Sequence, residues 1–319
     1  MDIIKKLSNI GVVPVIAIDN ADQAVDLAKA LLAGGLPVAE ITFRTAAGQQ
    51  AIENITKNVP DVLVGAGTVI NVEQVKQAIE RGAKFIVSPG FVEDVVDYCL
   101  ENDIPILPGT SNATEMAKAV NKGLKYVKFF PAEASGGLTT LKSLAPVFPT
   151  LSFMPTGGVN TKNVMDYLNY ERIFACGGSW MVKKDLINDG KWEEITNICK
   201  DVVKTMLGFS IKHIGINTKD EKEAEEVAKK YSVLFNLEYK PGNSSIFAGK
   251  DIECLKKPFL GESGHICIGT NDVERAIYSL ENKGVEFREE TRSLDEKGKT
   301  KNIYIKDEIG GFAIHIMKK

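Results

Sequence analysis

The chain has 319 residues, 44% of them hydrophobic and 25% charged, with a formal net charge of −3 at pH 7. That is an ordinary globular composition, long enough for about two domains and without the basic excess that holds nucleic acid. No basic-then-apolar leader stands in "MDIIKKLSNIGVV" and no apolar run reaches a membrane span, so a cytoplasmic protein with no membrane or nucleic-acid partner is expected.

Residues 2–11 read as a helix ahead of the first strand. From Val12 onward short apolar runs alternate with amphipathic segments. The runs at 12–18, 38–43, 62–68, 85–90, 104–110, 126–132, 152–158 and 172–180 read as strands. Between them 21–35, 71–83 and 92–103 have helical periodicity, and Gly34, Gly35 and Gly82 suit helix stops. Strand–helix alternation implies a parallel sheet, and eight units close into a (β/α)₈ TIM barrel with its site at the strand C-terminal ends. A doubly wound open sheet is the alternative, but "AIDNADQA" (17–24) lacks the glycine turn it would want after the first strand.

Two of these strands carry charge. Period two puts Val38, Glu40, Thr42 and Arg44 on one face of "VAEITFR", and Tyr126, Lys128 and Phe130 on one face of "YVKFFPA". A barrel strand is covered on both faces, so neither Glu40 nor Lys128 can reach water sideways. A purely structural ion pair there costs more desolvation than an apolar filling, and buried ionisable groups cluster at functional sites. Glycine-rich turns follow the seventh and eighth strands, "PTGGVN" (155–160), read as opening a helix, and "CGGSW" (176–180). Loops at those two places commonly build the phosphate site of such barrels.

A buried amine is driven toward its neutral form, which condenses with a ketone to a Schiff base; the protonated imine then lets a carbon–carbon bond break. Glu40 suits the proton shuttle, Arg44 can clamp a substrate carboxylate bidentately, and Thr68 offers a hydroxyl. The residues thus point to a Schiff-base aldolase acting on a phosphorylated keto acid, with no cofactor. A phosphosugar isomerase without imine chemistry is the alternative, and it would not need Lys128 and Glu40 buried together.

The motifs "VAEITFRT", "VGAGTV", "IVSPG", "KFFPAEASGG", "PTGGV" and "GGSW" run in order and resemble those of the 2-keto-3-deoxy-6-phosphogluconate (KDPG) and 4-hydroxy-2-oxoglutarate (KHG) aldolases. The resemblance implies that Lys128 is the Schiff-base lysine and Glu40 the acid/base. It implies further that Arg44 and Thr68 bind the pyruvate moiety and that Pro89 and Phe130 line the pocket. Gly157, Gly158, Gly178 and Ser179 match the phosphate cradle. Thr156 matches the position where threonine goes with the gluconate substrate. The segment "PGTSNATE" (108–115) departs from the commoner isoleucine form, which leaves selectivity along the middle of the substrate open. A homotrimer is implied.

The barrel is expected to end near residue 207, leaving 208–319 as a second domain. All three histidines fall there, and "HIGINTKDEKEA" (213–224) aligns with "HICIGTNDVERA" (265–276) at an offset of 52 residues. "DIECLK" (251–256) likewise lies over "AIHIMK" (313–318), and "EETRSLDEKGKT" (289–300) reads as an extra loop of the second copy. Two βαβββ modules, an α+β domain, resemble the vicinal-oxygen-chelate fold of glyoxalases and extradiol dioxygenases. That resemblance implies a divalent metal held by His213, Glu253, His265 and His315, although His315 stands where glutamate is usual. A metal enzyme, a metal-bound sensory module and a dimerisation module remain open for this part. The five scattered cysteines are read as buried structural thiols in a reducing compartment.

Overall fold

The computed structural model describes residues 2–319, and the chain forms two compact units that divide between Met206 and Leu207.

The first unit begins with a helix, Ile3–Ile10, whose first turn is capped by the Asp2 side chain. Strands β1 (Val12–Ile16), β2 (Val38–Thr42), β3 (Leu63–Gly67), β4 (Ile86–Val87), β5 (Ile106–Leu107), β6 (Gly109–Thr110), β7 (Tyr126–Phe129), β8 (Ser152–Pro155) and β9 (Cys176–Gly178) follow, with helices between most of them. Six hydrogen-bond in the order β5-β4-β3-β2-β1-β9, and three in the order β6-β7-β8. All of these pairings are parallel. The two sheets are one ring. Pro108 alone separates β5 from β6, two halves of the fifth barrel strand, and bridges Phe153↔Ile173 and Thr156↔Gly177 join β8 to the last strand. Pairing of β9 with β1 closes the barrel, which rules out the open sheet.

The fourth and fifth strands are shorter than the apolar runs 85–90 and 104–110 predicted. Pro89, Pro105 and Pro108 have no N–H to give to a ladder, so regular pairing stops beside them. The helix expected to open at "PTGGVN" also differs: a five-residue helix, Val164–Leu168, starts only after an intervening turn. Backbone amides of the turn itself, rather than a helix dipole, are what that loop presents.

The second unit contains β10 (Ser210–Asn217), a helix Glu221–Phe235, β11 (Tyr239–Pro241), β12 (Ser245–Ala248) and β13 (Ile252–Leu255). It continues with β14 (Gly264–Thr270), a helix Val273–Glu281, β15 (Phe287–Leu294), β16 (Thr300–Ile309) and β17 (Phe312–Lys318). One eight-stranded sheet runs β11-β12-β13-β10-β14-β17-β16-β15. Each half pairs its first strand with its last in parallel and its other strands antiparallel. The halves join through their first strands, β10 and β14, antiparallel. The segment 289–300, read as a loop, instead lengthens the β15–β16 hairpin around a turn at Asp295–Lys299. Ala224, Ala228, Ile246 and Cys254 form the buried core between the first helix and the sheet. Among the described residues no helix is long and apolar enough to cross a membrane.

Candidate functional site

Lys128 and Glu40 come from β7 and β2, strands that are not neighbours in the ring, and they meet across the barrel interior. Lys128 Nζ donates to Glu40 Oε1 at 3.1 Å, with Lys128 5% exposed and Glu40 fully buried. Glu40 Oε2 has no hydrogen-bond partner, so one carboxylate oxygen is free to carry a proton. Room for this carboxylate is made by Gly67 on β3, where a Cβ would sit 2.4 Å from Glu40 Oε1. The Phe130 ring faces the ammonium, 5.3 Å from Nζ to centroid.

Around this pair the barrel ends gather polar groups. Arg44 is exposed just past the end of β2, and its Nε donates to Thr42 Oγ1 at 3.2 Å. Thr42 in turn donates to the Ile16 carbonyl at 2.7 Å, which ties β2 to β1 at the rim. Thr68 directly follows β3 with φ +59°, a left-handed conformation uncommon for a side chain branched at Cβ. Pro89 is half-buried in the turn after β4. The Thr156↔Gly177 bridge sets the two glycine loops side by side. Gly157 and Gly158 have φ of 95° and 83°, and a Cβ on Gly158 would strike the Glu133 side chain. Gly178 is buried with the Trp180 ring against it, and Ser179 is exposed beyond it.

In the second unit the histidines lie on one face of the sheet. His213 Nε2 and His265 Nε2 are 3.1 Å apart, and each is 3.2 Å from Glu253 Oε2. His315 stands beside them, its ring centroid 5.3 Å from that of His213 and 4.9 Å from that of His265. Its Nδ1 is bonded to Asn302 Oδ1, its ring stacks on Tyr304 at 4.7 Å, and its Nε2 is buried without a partner. Burial, reinforced by His265 and His213, holds the His315 imidazole down to about 3, so it is neutral. Burial pushes the Glu253 carboxyl up, but hydrogen bonds from His213, His265 and Ser245 outweigh it and hold it well below the usual range. Gly215 makes the cluster possible, because a Cβ there would lie 2.0 Å from His265 Cε1.

With both sites described, comparison with known proteins separates them. Residues 3–198 match the family model for KDPG and KHG aldolase. The chain belongs to the KDPG and KHG aldolase family. As an aldolase it is an enzyme of the lyase class. The 2-dehydro-3-deoxy-phosphogluconate aldolase of Haemophilus influenzae is 46% identical over 201 residues, 63% of this chain and 95% of that protein. The KHG/KDPG aldolase of Escherichia coli K12 is 42% identical over 193 residues, 60% of this chain and 91% of that one. Among solved structures, KDPG aldolase from Legionella pneumophila, with pyruvate captured as a covalent carbinolamine, superposes at a TM-score of 0.61. It is 38% identical and covers 63% of this chain and 98% of that one.

The geometry around the aldolase pair also holds residues that pattern reading passed over. Gly67 sits in "VGAGTV" without any charge or periodicity to mark it. Its value is the space it leaves for a side chain from the adjacent strand, and that is visible only once strands are paired. Gly215 in the second unit is unmarked for the same reason.

Proposed function

We propose that the barrel is a Schiff-base aldolase cleaving 2-keto-3-deoxy-6-phosphogluconate to pyruvate and glyceraldehyde 3-phosphate, and also 4-hydroxy-2-oxoglutarate to pyruvate and glyoxylate. The observation that carries this reading is the 3.1 Å contact between Lys128 Nζ and a fully buried Glu40 that keeps one oxygen unbonded. Neutral Lys128 adds to the C2 carbonyl, the protonated Glu40 carboxyl gives its proton to the carbinolamine hydroxyl so that it leaves as water, and a protonated imine forms beside the ionised Glu40. Electrons of the C3–C4 bond then move toward the imine nitrogen, leaving an enamine. Glu40 accepts the C4 hydroxyl proton as the aldehyde departs and returns a proton to C3. Water hydrolyses the new imine and frees pyruvate and Lys128.

In this reading Arg44 and Thr68 hold the substrate carboxylate, and Pro89 and Phe130 line the pyruvate pocket. Thr156 faces the C4 hydroxyl, and Gly157, Gly158, Gly178 and Ser179 receive the phosphate through backbone amides and a hydroxyl. The barrels are taken to assemble as a homotrimer, which sedimentation of the intact chain checks. Borohydride reduction with pyruvate should add one pyruvate-derived group, on Lys128; an adduct on another lysine, or none, overturns the assignment.

The second unit is proposed to be a vicinal-oxygen-chelate module of two βαβββ halves that binds a divalent metal through His213, Glu253 and His265, with His315 beside them. Ligands about 2.1 Å from one ion and about 100° apart lie roughly 3.2 Å from each other, the spacing these three atoms have. Imidazole and carboxylate suit iron, zinc, nickel or manganese. Bound there, such an ion supplies Lewis acidity toward an oxygen ligand. Elemental analysis of the intact chain against a His213→Ala, His265→Ala double variant tests this, and equal metal content in both rejects it.

A further inference from the structure

We infer that Cys267 is a metal ligand of the second unit, and that the site therefore selects a thiophilic ion such as zinc or cobalt over manganese or magnesium. The inference rests on the metal reading above. Its basis is the strand register. Cys267 is directly opposite His213 on β10 and directly opposite His315 on β17, so three adjacent strands line up His213, Cys267 and His315 in one row. Residues opposite each other in a sheet share a face, with Cβ atoms about 4.5–5.5 Å apart. In the neighbouring row Glu253 and His265 flank Gly215. The two rows meet at His213, which belongs to both compact donor sets, one completed by Cys267 and His315 and the other by Glu253 and His265.

Ligand atoms of His213, Cys267 and His315 lie within 4.8 Å of one another, as do those of His213, Glu253 and His265. Two features point to a ligand beyond the protein. Cys267 is fully buried in a row that carries imidazoles rather than apolar side chains on both sides. His315 is 6% exposed, and Asn302 Oδ1, which can only accept, fixes the proton on Nδ1 and leaves a buried Nε2 lone pair with no donor. Cys254 provides the contrast. It is equally buried, but it points to the helix side among Ala224, Ala228 and Ile246, with no imidazole in that core.

Two imidazoles and one carboxylate accept most first-row ions, whereas the set of His213, Cys267 and His315, two imidazoles and a thiolate, prefers softer ones. On binding, a sulfur–metal bond forms and the thiol proton passes to solvent, with no change of oxidation state.

One equivalent of cobalt(II) added to the metal-free, full-length protein should produce a near-ultraviolet thiolate-to-cobalt charge-transfer band. The band should persist in Cys254→Ala and vanish in Cys267→Ala. The near-isosteric Cys267→Ser guards against a folding defect and should behave like Cys267→Ala. Loss of a group that hydrogen-bonds to a metal-bound side chain already costs ~10–100-fold in metal affinity, so zinc affinity in Cys267→Ser should fall roughly tenfold or more while manganese affinity changes little. Cobalt bound one-to-one without the band, or a band that survives in Cys267→Ser, overturns the thiol assignment and leaves the metal reading standing. Failure of cobalt to bind at all overturns both.

Discussion

The barrel and the sheet of the second unit each bury a small polar cluster, and they assemble it in opposite ways. In the barrel, Lys128 and Glu40 come from non-adjacent parallel strands and meet across a closed interior. In the second unit, Glu253, His213, His265 and His315 come from four strands that are neighbours in one open sheet. The barrel pairs a cation with an anion, which neutralise each other. The sheet gathers three imidazoles and a single carboxylate, a set of lone pairs that the proposed metal reading fills with a cation. As proposed, the two clusters therefore take different reagents, a carbonyl compound for the barrel pair and a divalent cation for the sheet.

The largest expected effect tests the covalent side. Lys128→Met should lower cleavage by roughly 10⁴-fold or more and abolish borohydride trapping, in line with removal of a covalent nucleophile. A chelator that strips divalent metal should leave wild-type cleavage rates unchanged. If chelation slows cleavage, the barrel chemistry depends on metal and the contrast between the regions fails.

Next in size is the proton shuttle. Glu40→Gln keeps the shape of the site and removes its base, so turnover should drop by about 10²–10⁴-fold. Trapping by pyruvate and borohydride should continue, because Lys128 remains. Loss of both together would mean that Glu40 positions the lysine and does not move protons.

The coordination side predicts a local response. Zinc at about 100 times its dissociation constant stabilises the folded site by ~2.7 kcal/mol. Amide exchange in peptides spanning β10, β13 and β14 should slow by up to roughly 100-fold, while barrel peptides stay as they were. Protection spread evenly over the chain, or none, would contradict a site confined to the second unit.

What the sequence revealed about each region follows from the same contrast. The barrel strands were readable because both faces are apolar, so each appears as a continuous run. Their ends were not, because Pro89, Pro105 and Pro108 stop the ladder inside runs that remain apolar. Lys128 and Glu40 stood out because a charge on a doubly covered strand has few bland explanations. In the second unit a repeat of aligned segments exposed the histidine and glutamate positions. Cys267 gave no such signal, since its interest lies in what stands opposite on two other strands, and register is not written in local pattern. The 289–300 segment reads as a loop because its strand residues are charged and largely exposed, which leaves no apolar alternation to mark a strand.

The smallest effects, and the sharpest comparison, come from the glycines that make room in each region. Gly67 and Gly215 both let a functional side chain lie over a neighbouring strand, one for Glu40 and the other for His265. Adding one methyl to a packed site typically costs about 1–3 kcal/mol when the neighbour must shift. Gly67→Ala should therefore displace the Glu40 carboxylate and slow cleavage by roughly 10–100-fold, with zinc affinity unaltered. Gly215→Ala should tilt the His265 ring and weaken zinc by a similar factor, with cleavage unaltered. Measuring both properties in both variants gives a two-by-two test. Off-diagonal effects near zero mean that each glycine serves only its own cluster. A slower aldolase in Gly215→Ala would instead show that the state of the imidazole cluster reaches the lysine, making the second unit a regulator of the first.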